Sequence, residues 1–263
     1  MTLFRSLWLY RGFILGSVKR EFLFRYHRSL LGIVWAFLNP LAMIAVYTVI
    51  FSGIMKARLP GLDSTYAYGI YLCAGLITWN FFSEILNRTV TVFIDNSSLL
   101  KKVNFPKSCL PVITVASECI NFSIIFMLYA GFLAVVGAFP GLVTITVLPV
   151  LLIQVALAVG VGIFLGTLNV FFRDINQVVK MVLQFWFWLT PIIYPVSIVP
   201  EKIRTVLELN PMFPVVAAYQ RVFISHEPPK WETLIPVTII AVFFLWLGLY
   251  TFRKNAGEII DEL

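Results

Sequence analysis

The stretch Leu142–Val170, LVTITVLPVLLIQVALAVGVGIFLGTLNV, runs without one Asp, Glu, Lys or Arg. About 20 apolar residues in a helix cross the hydrocarbon core of a bilayer, so this segment is long enough to span it. Working outward, the same reading finds five more spans: Leu30–Met55, Tyr68–Ile94, Leu110–Val136, Val178–Tyr194 and Thr233–Thr251. The span at Val178–Tyr194 is the shortest and ends among Pro191 and Pro195. The whole chain of 263 residues agrees, with 60% hydrophobic and 13% charged residues, where soluble domains carry about 25% charged. The expected fold class is an all-α integral membrane protein with six transmembrane helices. A soluble enzyme, a disordered chain and a disulfide-stapled module are excluded.

The 20 Lys and Arg against 13 Asp and Glu are assigned to orientation in the bilayer rather than to nucleic acid, because basic residues concentrate on the cytoplasmic side. With the N-terminus inside, the outer segments keep only Lys56, Arg58, Lys202, Arg204, Arg221 and Lys230. All other basic residues fall inside, which predicts both termini cytoplasmic and a multi-pass topology. Residues 1–29 read as a cytoplasmic, amphipathic segment on the membrane surface, with Phe4, Leu7, Trp8, Leu15, Val18 and Phe22 near one face and Arg11 interrupting it. The transmembrane domain is expected over 30–255 and a cytoplasmic tail over 256–263. No cleaved signal peptide is expected. Cys73, Cys109 and Cys119 lack CxxC spacing and read as small buried hydrophobes.

Much chemistry is missing. There is no GxxxxGK[ST] phosphate loop and no GxSxG elbow. His27 and His226 fall on opposite faces, so no metal site or His-based catalysis is expected within one copy. Intramembrane acids flag function or pairing. Glu84 and Arg88, four apart on one helix face, are expected to form an intramembrane ion pair. Glu118 is left to pair with a neighbouring helix or to line an aqueous vestibule. Gly162 and Gly166 form GxxxG, which suits close helix packing within the subunit or between two copies. Trp35, Phe37, Tyr47 and Phe51 in the first span, and Phe185, Trp186 and Trp188 in the fifth, are either packing and interfacial anchors or an aromatic channel lining that suits the apolar faces of sugar rings.

Two segments between spans stand out. In Asp95–Ser108 (DNSSLLKKVNFPKS), Ser97 or Ser98 can cap a short helix carrying Leu99, Leu100, Lys101 and Lys102, ended by Asn104 and Pro106. This is either a docking helix for a soluble partner or a positive-inside loop. Between the last two spans, Pro191, Pro195, Pro200, Asn210 and Pro211 break the chain into Pro200–Leu209 and Met212–Ile224. These are either two short helices re-entering the outer leaflet or a loop on its surface.

Blocks along nearly the whole chain resemble the membrane subunit of type-2 ABC exporters of bacterial polysaccharides (O-antigen, capsule and teichoic acid exporters). They are Arg25–Trp35 with Asn39-Pro40-Leu41, then Gly75–Phe82, then Ser98–Pro106. Leu165-Gly166 with Arg173-Asp174-Ile175, Trp188–Tyr194, and Asn210-Pro211 with Tyr219-Gln220-Arg221 follow. The resemblance implies a homodimeric channel in the bacterial inner membrane, with no catalytic residues. Two copies of a separate ATP-binding subunit would hold ATP and Mg. The substrate implied is a lipid-linked glycan whose diphosphate meets basic residues near the cytoplasmic entrance. Ser98, Leu99, Leu100, Lys101 and Lys102 then become the ATPase coupling element, the two leucines entering a groove of the partner. The aromatic residues named above become channel lining, and Pro191, Tyr194, Pro195, Asn210 and Pro211 an outer gate. Export of a drug or small lipid by the same architecture, and an ATPase-independent carrier, are the alternative readings.

Overall fold

The computed structural model describes residues 8–27, 32–50, 66–102 and 105–262, and every regular element among them is helical. α1 (Arg11–His27) is followed by α2 (Trp35–Tyr47), α3 (Ala67–Asp95), the short α4 (Ser97–Lys102), α5 (Cys109–Val136) and α6 (Val147–Phe171). Then come α7 (Asp174–Trp188), α8 (Glu201–Glu208), α9 (Met212–Gln220), α10 (Trp231–Lys254) and α11 (Glu258–Glu262). Leu30, Leu31 and Phe51–Met55 of the first expected span lie outside the described residues.

Among the described residues five stretches are long and apolar enough to cross a membrane: Gly32–Ile50, Ala67–Asp95, Cys109–Val136, Gly141–Phe171 and Trp231–Lys254. The remaining expected span, Val178–Tyr194, is corrected at its outer end. α7 stops at Trp188 after 15 residues, about 22 Å at 1.5 Å per residue, short of the ~30 Å core. Pro191 has no N–H to continue the helix and disfavours helical backbone at Thr190. The last turn closes with the amides of Leu189 and Thr190 donating to the carbonyls of Phe185 and Phe187.

α3 stands at the centre. Of its apolar stretch 83% is buried, against 28% or less in the other four spans. Its neighbours approach closely because α6 offers glycine on two sides. A Cβ on Gly166 would stand 2.6 Å from the Thr89 carbonyl oxygen of α3, and one on Gly162 would stand 2.7 Å from the Thr89 side chain. On the other side, a Cβ on Gly160 would be 2.5 Å from the Leu245 amide nitrogen of α10, and one on Gly248 would be 2.6 Å from the Gly160 carbonyl. The GxxxG of Gly162 and Gly166 is therefore used inside the subunit, where dispersion across touching backbones drives helix association. Side-chain amides staple the α6–α3 seam, Gln154 donating to the Thr78 carbonyl at 2.7 Å and Asn169 to the Val90 carbonyl at 3.0 Å, and the Tyr129 phenol ties α5 to α3 through the Ile70 carbonyl at 3.0 Å.

One end of the bundle is closed by an apolar cluster of Val18, Phe93, Leu100, Phe105, Leu110, Phe252 and Ile259. It gathers α1, the end of α3, α4, the start of α5 and both C-terminal helices. Of the expected apolar face of α1, Phe4 and Leu7 lie outside the described residues, Trp8 and Leu15 are exposed, Phe22 is half-buried and Val18 is buried. Tyr10, Phe13 and Ile14 pack with Val18 on the cluster instead. Trp8, Leu15, Leu23 and Phe24 keep an exposed apolar surface on α1.

Candidate functional site

Three places hold the residues that the sequence singled out. The first is the 95–108 segment at the clustered end. Its helix α4 starts on the Asn96 carbonyl, which accepts from the amides of Leu99 and Leu100 at 3.1 and 3.0 Å. Leu100 is 6% exposed and belongs to the subunit's own cluster, and Leu99 packs half-buried against it. In the single chain Leu100 is thus turned inward and Leu99 only half-exposed. A single short turn has one apolar side, and here that side fills the gap between α3, α5 and α11. What α4 presents outward is Ser98, Lys101 and Lys102.

The second place is an ion network across three helices. Arg88 of α3 pairs with Glu118 of α5 and Glu21 of α1. Ser117 donates to the other Glu21 oxygen at 2.9 Å. Arg88 thus reaches across to α5 and α1, beyond the expected pairing with Glu84 on its own helix. Such a pair is worth only a few tenths of a kcal/mol on a helix surface. Glu118, 1% exposed, needs a counter-charge far more, since a buried charge left alone is costly. Two cavities flank the network. One, of about 290 Å³, lies between α2, α3 and α5 and is lined by Asn39, Asn80, Ser83, Glu84, Glu118 and Asn121 among apolar residues. The other, of about 340 Å³, is lined by Arg20, Glu21, Arg88 and Asp95. Glu118 borders the first and Arg88 the second, so their ion pair is the partition between them.

The third place is α7 and the segment that follows. α7 buries Val179 and Leu183 against the bundle. Arg173, Gln177, Lys180, Gln184 and Trp188 are all exposed, and their spacing of four, three, four and four puts them on one narrow stripe. A polar stripe on a membrane helix belongs against water or protein, not lipid tails. Beside it stand Val178, Val182 and Phe185, the last 63% exposed. Of the aromatic candidates, Trp35, Phe37, Phe185 and Trp188 are exposed, Tyr47 packs partly buried on the core and Phe51 lies outside the described residues. Trp186 is half-buried and packs on the core. Its ring meets Trp79 and Phe82 edge-on at 6.0 and 5.4 Å, and its N–H donates to the Asn210 side-chain oxygen at 2.6 Å.

Both short helices expected after the fifth span are present. α8 lies exposed, and α9 buries Met212, Val215, Val216 and Tyr219 against the bundle. The bent, non-helical piece Pro191–Pro195 is laced to the head of α3. The Tyr71 hydroxyl lies 2.9 Å from the carbonyls of both Pro191 and Tyr194, and Tyr68 donates to the Ile193 carbonyl. Asn210 ties the rest. It accepts from Trp186 and from the Met212 amide at 2.9 Å, and donates to the Leu189 carbonyl at 3.1 Å and the Thr190 hydroxyl at 2.9 Å. Asn210→Leu is expected to lower stability by about 1–2 kcal/mol, because it strands several part-buried donors and acceptors at once. Asn210→Asp keeps the acceptor half of the knot and should fall between. Thermal unfolding of the purified subunit in detergent checks the order.

Residues 14–224 match the family described as ABC-2 type transporter. The chain belongs to the ABC-2 type transporter family. It is 32% identical to the O-antigen export system permease protein RfbA of Myxococcus xanthus, with all of both chains covered. To the RfbA permease of Klebsiella pneumoniae it is 31% identical over 88% of this chain and 86% of that protein. The polysialic acid transport protein KpsM of Escherichia coli is 24% identical over 93% of this chain and 97% of its own length. In this ABC-2 chain two groups escaped the sequence reading. The stripe Gln177, Lys180 and Gln184 was hidden in a segment read only for hydropathy, although its helical spacing was there to find. Asn169 gave no signal in sequence, yet it bonds α3 and also accepts from the Asn176 amide at the start of α7, at 3.1 Å.

Proposed function

We propose that this ABC-2 subunit forms the channel of an ATP-driven exporter that carries a lipid-linked polysaccharide of the O-antigen kind across the bacterial inner membrane. The observation that carries this is the end-to-end match to an O-antigen export permease. Two copies of the chain would enclose the passage, and two copies of an ATP-binding partner, holding ATP and Mg, would dock on the clustered end. Both termini then face the cytoplasm, as the distribution of basic residues favours. The α7 stripe supports the passage reading. Arg173 and Lys180 supply positive charge for a diphosphate, Gln177 and Gln184 suit hydroxyls, and Phe185 and Trp188 offer ring faces to sugars. Pro191, Tyr194, Pro195, Asn210 and Pro211 would form the outer gate. Lys101 and Lys102, not the leucines, would meet the ATPase.

Deleting the gene tests the reading. Surface glycan should vanish while lipid-linked glycan accumulates inside, and the wild-type chain should restore export. Lys180→Leu with Gln184→Leu should restore it several-fold less well at equal membrane levels. Co-purification gives a second readout. Lys101→Glu with Lys102→Glu should weaken recovery of the ATP-binding subunit from a folded permease, whereas Leu100→Asp should damage the permease itself. Unchanged surface glycan in the deletion strain would overturn the proposal.

A further inference from the structure

We infer that the cleft between α5, α6 and α10 is a binding site for one acyl chain of an anionic phospholipid, with the phosphate held at Lys107. The cleft encloses about 520 Å³ and is lined by Val112, Val115, Ala116, Ala156, Val159 and Leu249 among others, with Ser108 its one polar lining residue. It exists because the glycine seam of Gly160 and Gly248 draws α10 tightly onto α6, while α5 stands off from both. A void there forfeits dispersion contacts along all three walls, so a flexible hydrocarbon chain stabilises it.

Length and charge choose the occupant. On α6 the lining runs from Leu152 to Ile163, about 16 Å at 1.5 Å per residue. That is about half of the ~30 Å hydrocarbon core, the depth of one leaflet. The mouth lies at Ser108 and Phe252. Beside Ser108 stands Lys107, half-buried, its ammonium donating to the Ala256 carbonyl, and exposed Arg253 follows Phe252. A negative headgroup at this point and an apolar chain running to mid-membrane match both features. The leaflet named rests on the orientation proposed above; the occupancy does not.

The full-length chain in nanodiscs provides the test, since both faces are open there. The probe is phosphatidylglycerol with a diazirine midway along one chain, diluted in phosphatidylcholine, with labelled peptides mapped by mass spectrometry. Labelling should concentrate on 112–116, 155–159 and 245–249 rather than on the exposed Val242 and Phe243. It should exceed that by the matching phosphatidylcholine probe about fivefold, the ratio expected of one lysine at the membrane surface. Lys107→Gln should erase the headgroup preference. Ala156→Phe, or Ala116→Phe if the first fails to fold, should fill the cleft and remove the label. Even labelling over every exposed apolar face would overturn the inference. So would disulfide capture of a second copy through Val155→Cys, which would assign the cleft to a protein interface.

Discussion

Gly160→Leu is expected to abolish a monodisperse subunit. The new side chain has no direction to yield into, because its Cβ would meet backbone atoms of Phe244 and Leu245 at 2.5 to 3.0 Å. Overpacking of a fitted core costs about 1–3 kcal/mol and sometimes more. A backbone obstacle places this variant at or beyond the top of that range. Gly160→Ala should already lower the unfolding temperature. Gly131→Leu is the control: nothing lies within 4 Å of a Cβ there, and surface changes stay within about 0.5 kcal/mol. Size-exclusion chromatography of fluorescent fusions with a thermal ramp reads all three. A Gly160→Leu protein as stable as the control would refute the close approach of α6 and α10.

Arg88→Ala is the second large effect. It leaves Glu118 buried without its cation, and breaking a buried pair from one side costs about 3–5 kcal/mol. The double variant Arg88→Met with Glu118→Leu should be much less damaged than the sum of the singles, with a coupling energy of about 2 kcal/mol in a double-mutant cycle. Glu21→Gln should cost far less, since that carboxylate is 30% exposed and solvent screens it. Additive single effects would show that Arg88 and Glu118 do not depend on each other.

Most of the membrane architecture was legible from hydropathy, because a charge-free run such as Leu142–Val170 has few alternatives. What hydropathy does not rank is which span sits innermost. In a bilayer the outside of the bundle is as apolar as the inside, so α3 carries no mark of its central place except small and polar residues such as Gly75 and Thr78. Local spacing was incomplete at two points for related reasons. Glu84 and Arg88 are neighbours on a helix, and spacing gave no sign that Arg88 also answers a carboxylate thirty positions away. Leu99 and Leu100 in a polar loop look like an exposed docking pair, but the ends of five helices leave a hole that they fill. Trp186 groups with Phe185 and Trp188 in sequence because all three stand in one aromatic run. A helix gives adjacent residues different sides, and only Trp186 has Trp79, Phe82 and Asn210 to receive it.

The burial of α3 has a consequence for the route of transport. In cross-section, the middle of one copy is solid: a helix, backed by a glycine seam on α6, occupies the axis where a tunnel would run. In the proposed exporter, anything as wide as a sugar chain would then have to slide along the flank of the molecule, over the exposed surfaces of α2 and α7. On the proposed reading one copy would supply one wall of a trough, which would become a conduit only when a second copy closes the open side.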